Sequence, residues 1–267
     1  MKDILEEIVT HKRVEVNMQK EVLPPRRLHA MVEKVMQQGR TPISMSQSLA
    51  EDAHGIIAEF KRKSPSKGWI KEEGLPTVIP PAYALHGAAA LSILTDSRYF
   101  GGSLEFVKQA RPLVDKPILR KDFVVDEYQL FEARLAGADA VLLIAADLRL
   151  QEARALASMA HELGLEVLME LHCEGELDYA ALEVDMVGVN NRDLGTFHTD
   201  VQNSFRLSAC LPQDKVLVSE SGLGDPVMVK LLRQAGFRGF LMGEHFMKAE
   251  DPGLELAHFL QSIDQAS

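Results

Sequence analysis

Acidic and basic residues that could exchange protons with a substrate follow short apolar segments of this sequence. Glu59 and Lys61 lie at the end of the first segment, Lys121 follows the third, and Glu170 and Asn190 follow the fifth and sixth. A lysine can donate a proton to an oxygen that gains negative charge, and a glutamate can accept a proton. We expect these five side chains to converge on one site, where a reaction with several proton transfers is catalysed.

The spacing of Glu59 and Lys61 predicts an ion pair. Residues two apart face the same side of an extended strand. If both face inwards they are partly buried, and buried charges are tolerated chiefly when they are paired or functional. A purely structural ion pair is the alternative interpretation. Glu170 has no basic neighbour in the sequence, so it is the better candidate for the carboxyl group that exchanges protons.

Small residues after the last two apolar segments could bind a phosphate group. Ser221-Gly222 follows the seventh segment and Gly243-Glu244 follows the eighth. Barrel enzymes often bind phosphate there with backbone N–H groups, and glycine allows the backbone to come close to the anion. The polar, basic loop 64–68 also suits an anion. Tight turns and an ordinary surface loop are the alternative interpretation of these patterns.

No metal or organic cofactor is expected. His172 and Cys173 are adjacent, but the sequence has no second ligand pair at the spacing of a zinc site. It also lacks a G-x-S-x-G elbow, a phosphate-binding P-loop and a G-x-G-x-x-G dinucleotide motif.

The elements that must position these residues follow a regular rhythm. Eight short apolar segments, typical of buried parallel strands, occur at Gly55–Phe60, Leu91–Leu94, Pro117–Leu119, Ala138–Ile144, Leu165–Met169, Met186–Val189, Val216–Val218 and Phe237–Met242. Amphipathic patterns typical of helices lie between or after them, at Glu127–Leu135, Gln151–Leu163, Pro226–Ala235 and Gly253–Ile263. Eight strand–helix units in this length favour a closed (β/α)8 TIM barrel over an open doubly wound sheet. The active site of such a barrel lies where the strands end.

The first 45 or so residues differ from the rest. Ile4, Leu5, Ile8 and Val9 follow helical spacing, and Pro24-Pro25 would break a continuous helix. We predict a helical N-terminal extension, about residues 1–45, packed on the barrel, and one domain spanning residues 1–267.

Composition limits the class of protein. The chain of 267 residues is 46% hydrophobic and 25% charged, as soluble globular proteins are. Its formal net charge of −10 disfavours a nucleic-acid binder, which needs a basic face. Two cysteines indicate a reducing compartment. With no signal peptide and no apolar stretch near the roughly 20 residues of a membrane span, we expect a cytoplasmic protein that has no membrane partner and no obligate protein partner.

Seven segments, in chain order, resemble the indole-3-glycerol phosphate synthase family. They are Ile57–Gly68 (IAEFKRKSPSKG), Ala90–Asp96 with Phe100–Ser103, Pro117–Phe123 (PILRKDF), Gly137–Ile144, Val189–Leu194 (VNNRDL), Ser219–Gly222 (SESG) and Met242–Glu244. The resemblance runs from about Asp3 to the C-terminus. It implies a barrel enzyme of tryptophan biosynthesis that converts 1-(2-carboxyphenylamino)-1-deoxyribulose 5-phosphate into indole-3-glycerol phosphate, carbon dioxide and water.

The same resemblance implies a role for each candidate residue. Lys121 matches a general-acid lysine, Glu170 matches an acid/base glutamate, and Glu59 with Lys61 matches a catalytic pair. The remaining matches are polar or phosphate-binding: Asn190 and Ser221 line the pocket, Arg192 faces the substrate carboxylate, and Ser64, Gly222, Gly243 and the backbone of Glu244 cradle the phosphate.

Two other functions use comparable residues. One is a different phosphosugar barrel enzyme, such as phosphoribosylanthranilate isomerase or an aldolase that forms a Schiff base on a lysine. Borohydride trapping would label the lysine of such an aldolase. The other is a non-catalytic sensor of a phosphorylated metabolite on a decayed barrel, which would be expected to lose Lys121 or Glu170.

Overall fold

Eight parallel strands form a closed barrel, as the sequence predicts. The computed structural model describes residues 4–193 and 198–266. The barrel strands are β1 Ile56–Phe60, β2 Ala90–Leu94, β3 Ile118–Lys121, β4 Ala140–Ile144, β5 Glu166–Leu171, β6 Met186–Asn190, β7 Val216–Glu220 and β8 Phe237–Met242. Each strand pairs with the next one in the chain, and β8 closes on β1, where Phe240 lies opposite Ile56.

Helices surround the barrel and cover its ends. The α-helices are α1 Ile4–Val22, α2 Pro25–Gln38, α3 Met45–Glu51, α4 Ile79–Leu85, α5 Ser97–Phe100, α6 Leu104–Ala110, α7 Glu127–Ala136, α8 Leu150–Glu162, α9 Leu177–Ala180, α10 Gln202–Ser208, α11 Pro226–Gln234, α12 Glu244–Met247 and α13 Pro252–Gln265. Short 3-10 turns occur at Arg111–Leu113, Ala145–Asp147 and Glu174–Glu176, and a small hairpin pairs Lys63–Ser64 with Gly68–Trp69. No helix in the described part of the chain is both long and apolar enough to cross a membrane.

The strands are apolar on both faces because each face is covered. In β4, Val141 and Leu143 belong to the layer packed against the helices, while Leu142 and Ile144 belong to the cluster inside the barrel. This alternation follows from the two-residue period of a strand. It explains why the strands appear as continuous apolar segments in the sequence.

Helix α3 packs its apolar residues on the interior of the barrel. Met45 and Leu49 are fully buried with the residues that fill the barrel interior. The Glu166 carboxylate fixes this helix by accepting hydrogen bonds from the backbone N–H groups of Met45 and Ser46 at 2.8 and 2.7 Å. Seven residues with two buried apolar positions give little periodicity, so α3 is not predicted from the sequence.

The N-terminal extension consists of two helices, as predicted. Helix α2 begins at Pro25, directly after the break that the two prolines were expected to cause. The ring of His29 in α2 stacks on Phe131 of α7 with centroids 3.8 Å apart. The phenol of Tyr128 donates a hydrogen bond to the carbonyl oxygen of Leu23 at 3.0 Å. The extension is therefore packed on the barrel.

Four strands, β3, β5, β6 and β7, extend one or two residues further at their carboxyl ends than the sequence predicts. Strand β3 continues to Lys121 and β7 continues to Glu220, where Leu94 and Leu241 of the neighbouring strands pair with them. The prediction ended both strands before their charged residues. Backbone hydrogen bonds form the ladder whatever the side chain, and a charged side chain can face the barrel mouth.

Candidate active site

A cavity of about 810 Å³ lies at the carboxyl ends of the barrel strands. The eleven side chains or glycines predicted for the site all line it, namely Glu59, Lys61, Ser64, Lys121, Glu170, Asn190, Arg192, Ser221, Gly222, Gly243 and Glu244. Of the quoted VNNRDL segment, Leu194 lies outside the described residues. The strand ends thus bring together residues that are up to 185 positions apart in sequence, from Glu59 to Glu244 (244 − 59).

Lys121 lies between two carboxyl groups at the centre of the cavity floor. Its Nζ is 3.0 Å from Glu170 Oε2 and 3.5 Å from Glu220 Oε2. Burial by itself lowers the pKa of Lys121, but the charges of Glu170, Glu220 and Glu59 outweigh it and hold the pKa above its usual value. Lys121 is therefore a protonated amine, as a general acid must be.

Glu220 is a cavity residue that the sequence analysis missed. Its side chain is 1% exposed. Burial raises the pKa of Glu220 most, Lys121 opposes the shift, and Glu170 adds to it, which brings the pKa to about 8. Two signals in the sequence could have found this residue. Glu220 lies two positions after the inward-facing Val218 on β7, and Gly188 on β6 leaves the space that its carboxyl group occupies.

The premise that Glu170 has no basic neighbour in the sequence is wrong, because His172 lies two positions further along the chain and contacts it. Besides Lys121 on β3, His172 reaches Glu170, with its Nε2 3.2 Å from Glu170 Oε1. Burial raises the pKa of Glu170, but Lys121 and His172 more than offset it and keep the pKa well below its usual range. Burial lowers the pKa of His172, but Glu170 and Glu176 raise it by a larger amount, so the pKa is about 10. Spacing along the chain could not indicate that Lys121 contacts Glu170, because Lys121 lies on another strand.

Glu59 and Lys61 form the predicted ion pair. Lys61 Nζ lies 2.6 Å from Glu59 Oε1, and the Glu59 side chain is almost fully buried. Gly243 leaves room for this pair, because a Cβ atom at that position would lie 2.5 Å from Glu59 Oε1 and 2.9 Å from Glu59 Cβ. Gly243 therefore leaves space for the Glu59–Lys61 pair in the cavity and also belongs to the loop expected to bind phosphate.

Asn190 and Ser221 are joined by a hydrogen bond across two strand ends. The Ser221 hydroxyl donates to Asn190 Oδ1 at 2.9 Å. Ser221 has φ of +70°, in the left-handed region that a non-glycine residue rarely adopts. The buried amide of Asn191 supports this turn by donating hydrogen bonds to Ser219 Oγ and to the Ser221 carbonyl oxygen, each at 3.1 Å. Such strain is held by the surrounding contacts and is common at functional sites.

The residues expected to form a phosphate cradle, Ser64, Gly222, Gly243 and Glu244, all line the cavity. The hydroxyl of Ser64 is buried and has no hydrogen-bond partner within the described chain. Gly222 has φ of +78°, and a Cβ there would lie 2.6 Å from Thr199 Cγ2. Gly243 directly precedes α12, so backbone N–H groups at the start of this helix have no partner within the helix. An unpaired buried hydroxyl beside glycine turns is an arrangement suited to an oxyanion.

Arg192 lies next to this cradle. Its Nη1 donates a hydrogen bond to Ser66 Oγ at 3.3 Å, and its Nη2 is 3.7 Å from Glu244 Oε2. The guanidinium therefore bridges the loop after β1 and the start of α12. Its expected contact with the substrate carboxylate remains a prediction.

Helix α1 forms an apolar wall of the cavity, which the sequence analysis did not assign. Ile4, Leu5 and Ile8 of α1 line the cavity together with Phe100 and Phe123. The two phenylalanine rings lie with their centroids 6.0 Å apart. The cavity thus combines a charged floor with an apolar wall. Within the described residues, no group of three His, Cys, Asp or Glu side chains is arranged to hold a metal ion.

Comparisons with known proteins find relatives that match nearly the whole chain. The family model for indole-3-glycerol phosphate synthase matches residues 5–259. A protein of that name from Bacteroides thetaiotaomicron is 58% identical over 263 residues, covering 98% of this chain and 100% of the relative. Another from Polaromonas sp. strain JS666 is 42% identical over 258 residues, covering 96% of this chain and 98% of the relative.

Solved structures support the barrel fold alone, because their sequences are distant. KGPDC from Streptococcus mutans gives a TM-score of 0.61 at 13% identity, covering 79% of this chain and 97% of that one. A mutant tryptophan synthase alpha-subunit from Pyrococcus furiosus gives 0.58 at 14% identity, covering 79% and 98%. The family match over nearly the whole length and the two close relatives show that the chain belongs to the indole-3-glycerol phosphate synthase family.

Proposed function

We propose that this chain carries out the carboxy-lyase reaction of its family with Lys121 as the general acid of ring closure. The substrate is 1-(2-carboxyphenylamino)-1-deoxyribulose 5-phosphate, and the products are indole-3-glycerol phosphate, carbon dioxide and water. One observation carries the assignment. Lys121 is held protonated between a carboxylate, Glu170, and a carboxyl group with a raised pKa, Glu220, at the floor of the cavity.

Ring closure forms a carbon–carbon bond. The ring carbon that bears the carboxylate attacks the ketone carbon, and the ketone oxygen gains negative charge. Lys121 stabilises this oxygen and gives it a proton, so that a hydroxyl group results. Loss of carbon dioxide then returns the bonding electrons to the ring and restores its aromaticity.

Dehydration needs a second acid and a base. The new hydroxyl group leaves as water after it receives a proton, and the neighbouring CH2 group loses one. We assign the base to Glu170, whose depressed pKa keeps it a carboxylate. We assign the second acid to Lys61, which Glu59 holds at 2.6 Å. Two protons are donated and one is accepted, so one proton is taken up from solvent in each turnover.

Binding of the substrate ends orients the flexible chain between them. Ser64, Gly222, Gly243 and the backbone of Glu244 would hold the phosphate, Arg192 would face the carboxylate, and Asn190 and Ser221 would contact the hydroxyl groups between. Fixing both ends can contribute several kcal/mol by restricting the substrate to reactive geometries, on the order of what effective molarities indicate.

The proposed location is the cytoplasm. Cys173 and Cys210 are both free and exposed, which suits a reducing compartment. The small phosphorylated substrate is the proposed partner, and the acidic charge disfavours nucleic acid.

The reaction is tested with the purified full-length chain and the carboxyphenylamino substrate, by following indole fluorescence and release of carbon dioxide. Both signals are expected to rise in proportion. Product formation that stops after borohydride treatment in the presence of substrate would indicate a Schiff base and would favour an aldolase instead. Absence of both signals at saturating substrate would refute the proposed reaction.

A further inference from the structure

Helix α1 carries a lysine on its buried face. Leu5, Ile8 and Val16 form the apolar stripe by which α1 contacts the barrel, and Lys12 lies within this stripe with 1% of its surface exposed. Burial of a charged side chain is costly unless it is paired. A lysine at this position therefore indicates buried acidic partners, whose charge an apolar side chain could not balance.

Lys12 has three carboxylate partners: Glu15 on α1 itself, 3.0 Å from Lys12 Nζ, and two buried carboxylates at the ends of neighbouring barrel strands. Lys12 Nζ lies 2.9 Å from Asp96 Oδ2 and 3.0 Å from Asp122 Oδ1. Asp96 follows β2 and Asp122 follows β3, and both side chains are buried. Thr95 and Arg120 hold the other oxygen of Asp122, at 2.6 and 3.1 Å. These motif residues take no part in the chemistry proposed above.

This buried cluster connects the cavity wall to the catalytic floor. On one side, Lys12 belongs to the helix whose Leu5 and Ile8 line the cavity. On the other side, Asp122 directly follows Lys121 in the chain. Asp122 Oδ1 also accepts a hydrogen bond from the backbone N–H of Phe123 at 2.9 Å, which fixes the turn after β3.

We propose that Lys12 is a positioning residue for the reaction, whose ion pairs with Asp96 and Asp122 hold α1 against the cavity and fix the strand end that presents Lys121. Burial lowers the pKa of Lys12, but Asp122 and Asp96 raise it by a larger amount. The amine is therefore charged, and its contacts with the two aspartates are ion pairs. The inference rests on the proposed function, since the positioned groups are those of the proposed reaction.

The test compares the variant Lys12→Met with a control variant, Lys20→Met, on the same helix. Lys20 also pairs with an aspartate, Asp126, at 2.6 Å, but this pair is partly exposed and lies away from the cavity. Lys20→Met therefore makes the same chemical change and leaves the ion pairs of Lys12 with Asp96 and Asp122 in place. Lys12→Arg keeps the charge and serves as the conservative variant.

At 25 °C, Lys12→Met is expected to lower kcat/KM at least tenfold, with KM raised because the apolar wall is no longer held. The amides of α1 are expected to exchange hydrogen at least tenfold faster. Lys12→Arg should recover part of both losses, and Lys20→Met should stay within twofold of the parent.

A folded Lys12→Met variant with a lower melting temperature but kcat/KM and α1 exchange within twofold of the parent would overturn the proposal, since Lys12 would then act on stability alone. Should Lys12→Met not fold, Lys12→Met with Asp96→Asn removes one buried charge of each sign and is measured in the same way. Failure of the proposed function itself would appear as an inactive parent; the amide exchange of α1 then still decides whether Lys12 holds the helix.

Discussion

Glu170 and Glu220 approach the same lysine ammonium, yet their pKa values move in opposite directions. The oxygens of Glu170 and Glu220 lie 3.0 and 3.5 Å from Lys121 Nζ. The shorter contact and the additional cation His172 hold Glu170 as a carboxylate. Burial and the charge of Glu170 then make ionisation of Glu220 unfavourable, so its pKa rises to about 8. One site thus contains a proton acceptor and a carboxyl group that keeps its proton near neutral pH.

The raised pKa of Glu220 predicts a pH-dependent stability. The folded protein binds the Glu220 proton more tightly than the unfolded chain, so this contribution is complete below the usual glutamate pKa and is lost as pH rises through about 8. Glu220→Gln cannot ionise. We expect the variant to gain stability relative to the parent as pH rises from the usual glutamate pKa to about 8, by at most about 1.4 kcal/mol for each step of one pH unit. Urea unfolding of both proteins at several pH values measures this difference; a difference that is constant with pH would contradict the raised pKa.

Replacement of Lys121 should remove most turnover. Lys121→Ala eliminates the proposed general acid, which typically contributes about 10² to 10⁴ in rate. It also leaves Glu170 and Glu220 without their shared cation, so a loss of stability is expected too. The measurement is kcat at saturating substrate, with product affinity determined by titration. Lys108→Ala, on the exposed side of α6, is the matched control and should keep parental kcat. Turnover of Lys121→Ala within tenfold of the parent would remove Lys121 from this role.

Substitutions at Gly243 and Ser64 are expected to separate an effect on kcat from an effect on phosphate binding. Gly243→Ala places a Cβ where Glu59 Oε1 lies 2.5 Å away, so it should displace the Glu59–Lys61 pair and lower kcat.

Ser64→Ala only removes a buried hydroxyl of the expected phosphate cradle. Loss of one charge-assisted hydrogen bond, about 1.5 kcal/mol or more, should weaken binding of product or inorganic phosphate roughly tenfold with kcat retained. Gly243→Asp adds negative charge and should weaken phosphate binding as well as kcat; unchanged phosphate affinity in Gly243→Asp would contradict the location of the cradle.

Glu170→Gln should slow dehydration and also change His172. The amide keeps the shape of the side chain but cannot take the CH2 proton, so single-turnover experiments in deuterated solvent should show a slow late step. Glu59→Gln should instead disturb Lys61 and slow the reaction more generally. The pKa of His172, about 10 in the parent, should fall in Glu170→Gln because a neighbouring negative charge is gone. Titration of the His172 ring by NMR reports this directly, and parental rates in every step would show that Glu170 is structural.

The barrel and one of its ion pairs could be predicted from the sequence because their causes are local. Buried parallel strands are apolar on both faces, so β4 and its neighbours appear as short apolar segments separated by helical patterns. The strand period of two places Glu59 and Lys61 on the same face, and the structure has them 2.6 Å apart. The carboxyl ends of parallel strands meet at one rim, which brings the predicted residues into one cavity.

The tertiary structure alone decided which charges from different strands and helices face each other. Glu170 has no lysine or arginine near it along the chain, but β3 places Lys121 beside it, and Lys121 together with His172 outweighs the effect of burial and depresses the pKa of Glu170. Glu220 follows the same strand period, but only the structure shows that its carboxyl group lies 3.5 Å from Lys121 Nζ. Lys12 contacts carboxylates more than 80 positions away, at Asp96 and Asp122. Protonation states depend on burial and on distances between groups from different strands, and neither quantity is contained in sequence spacing.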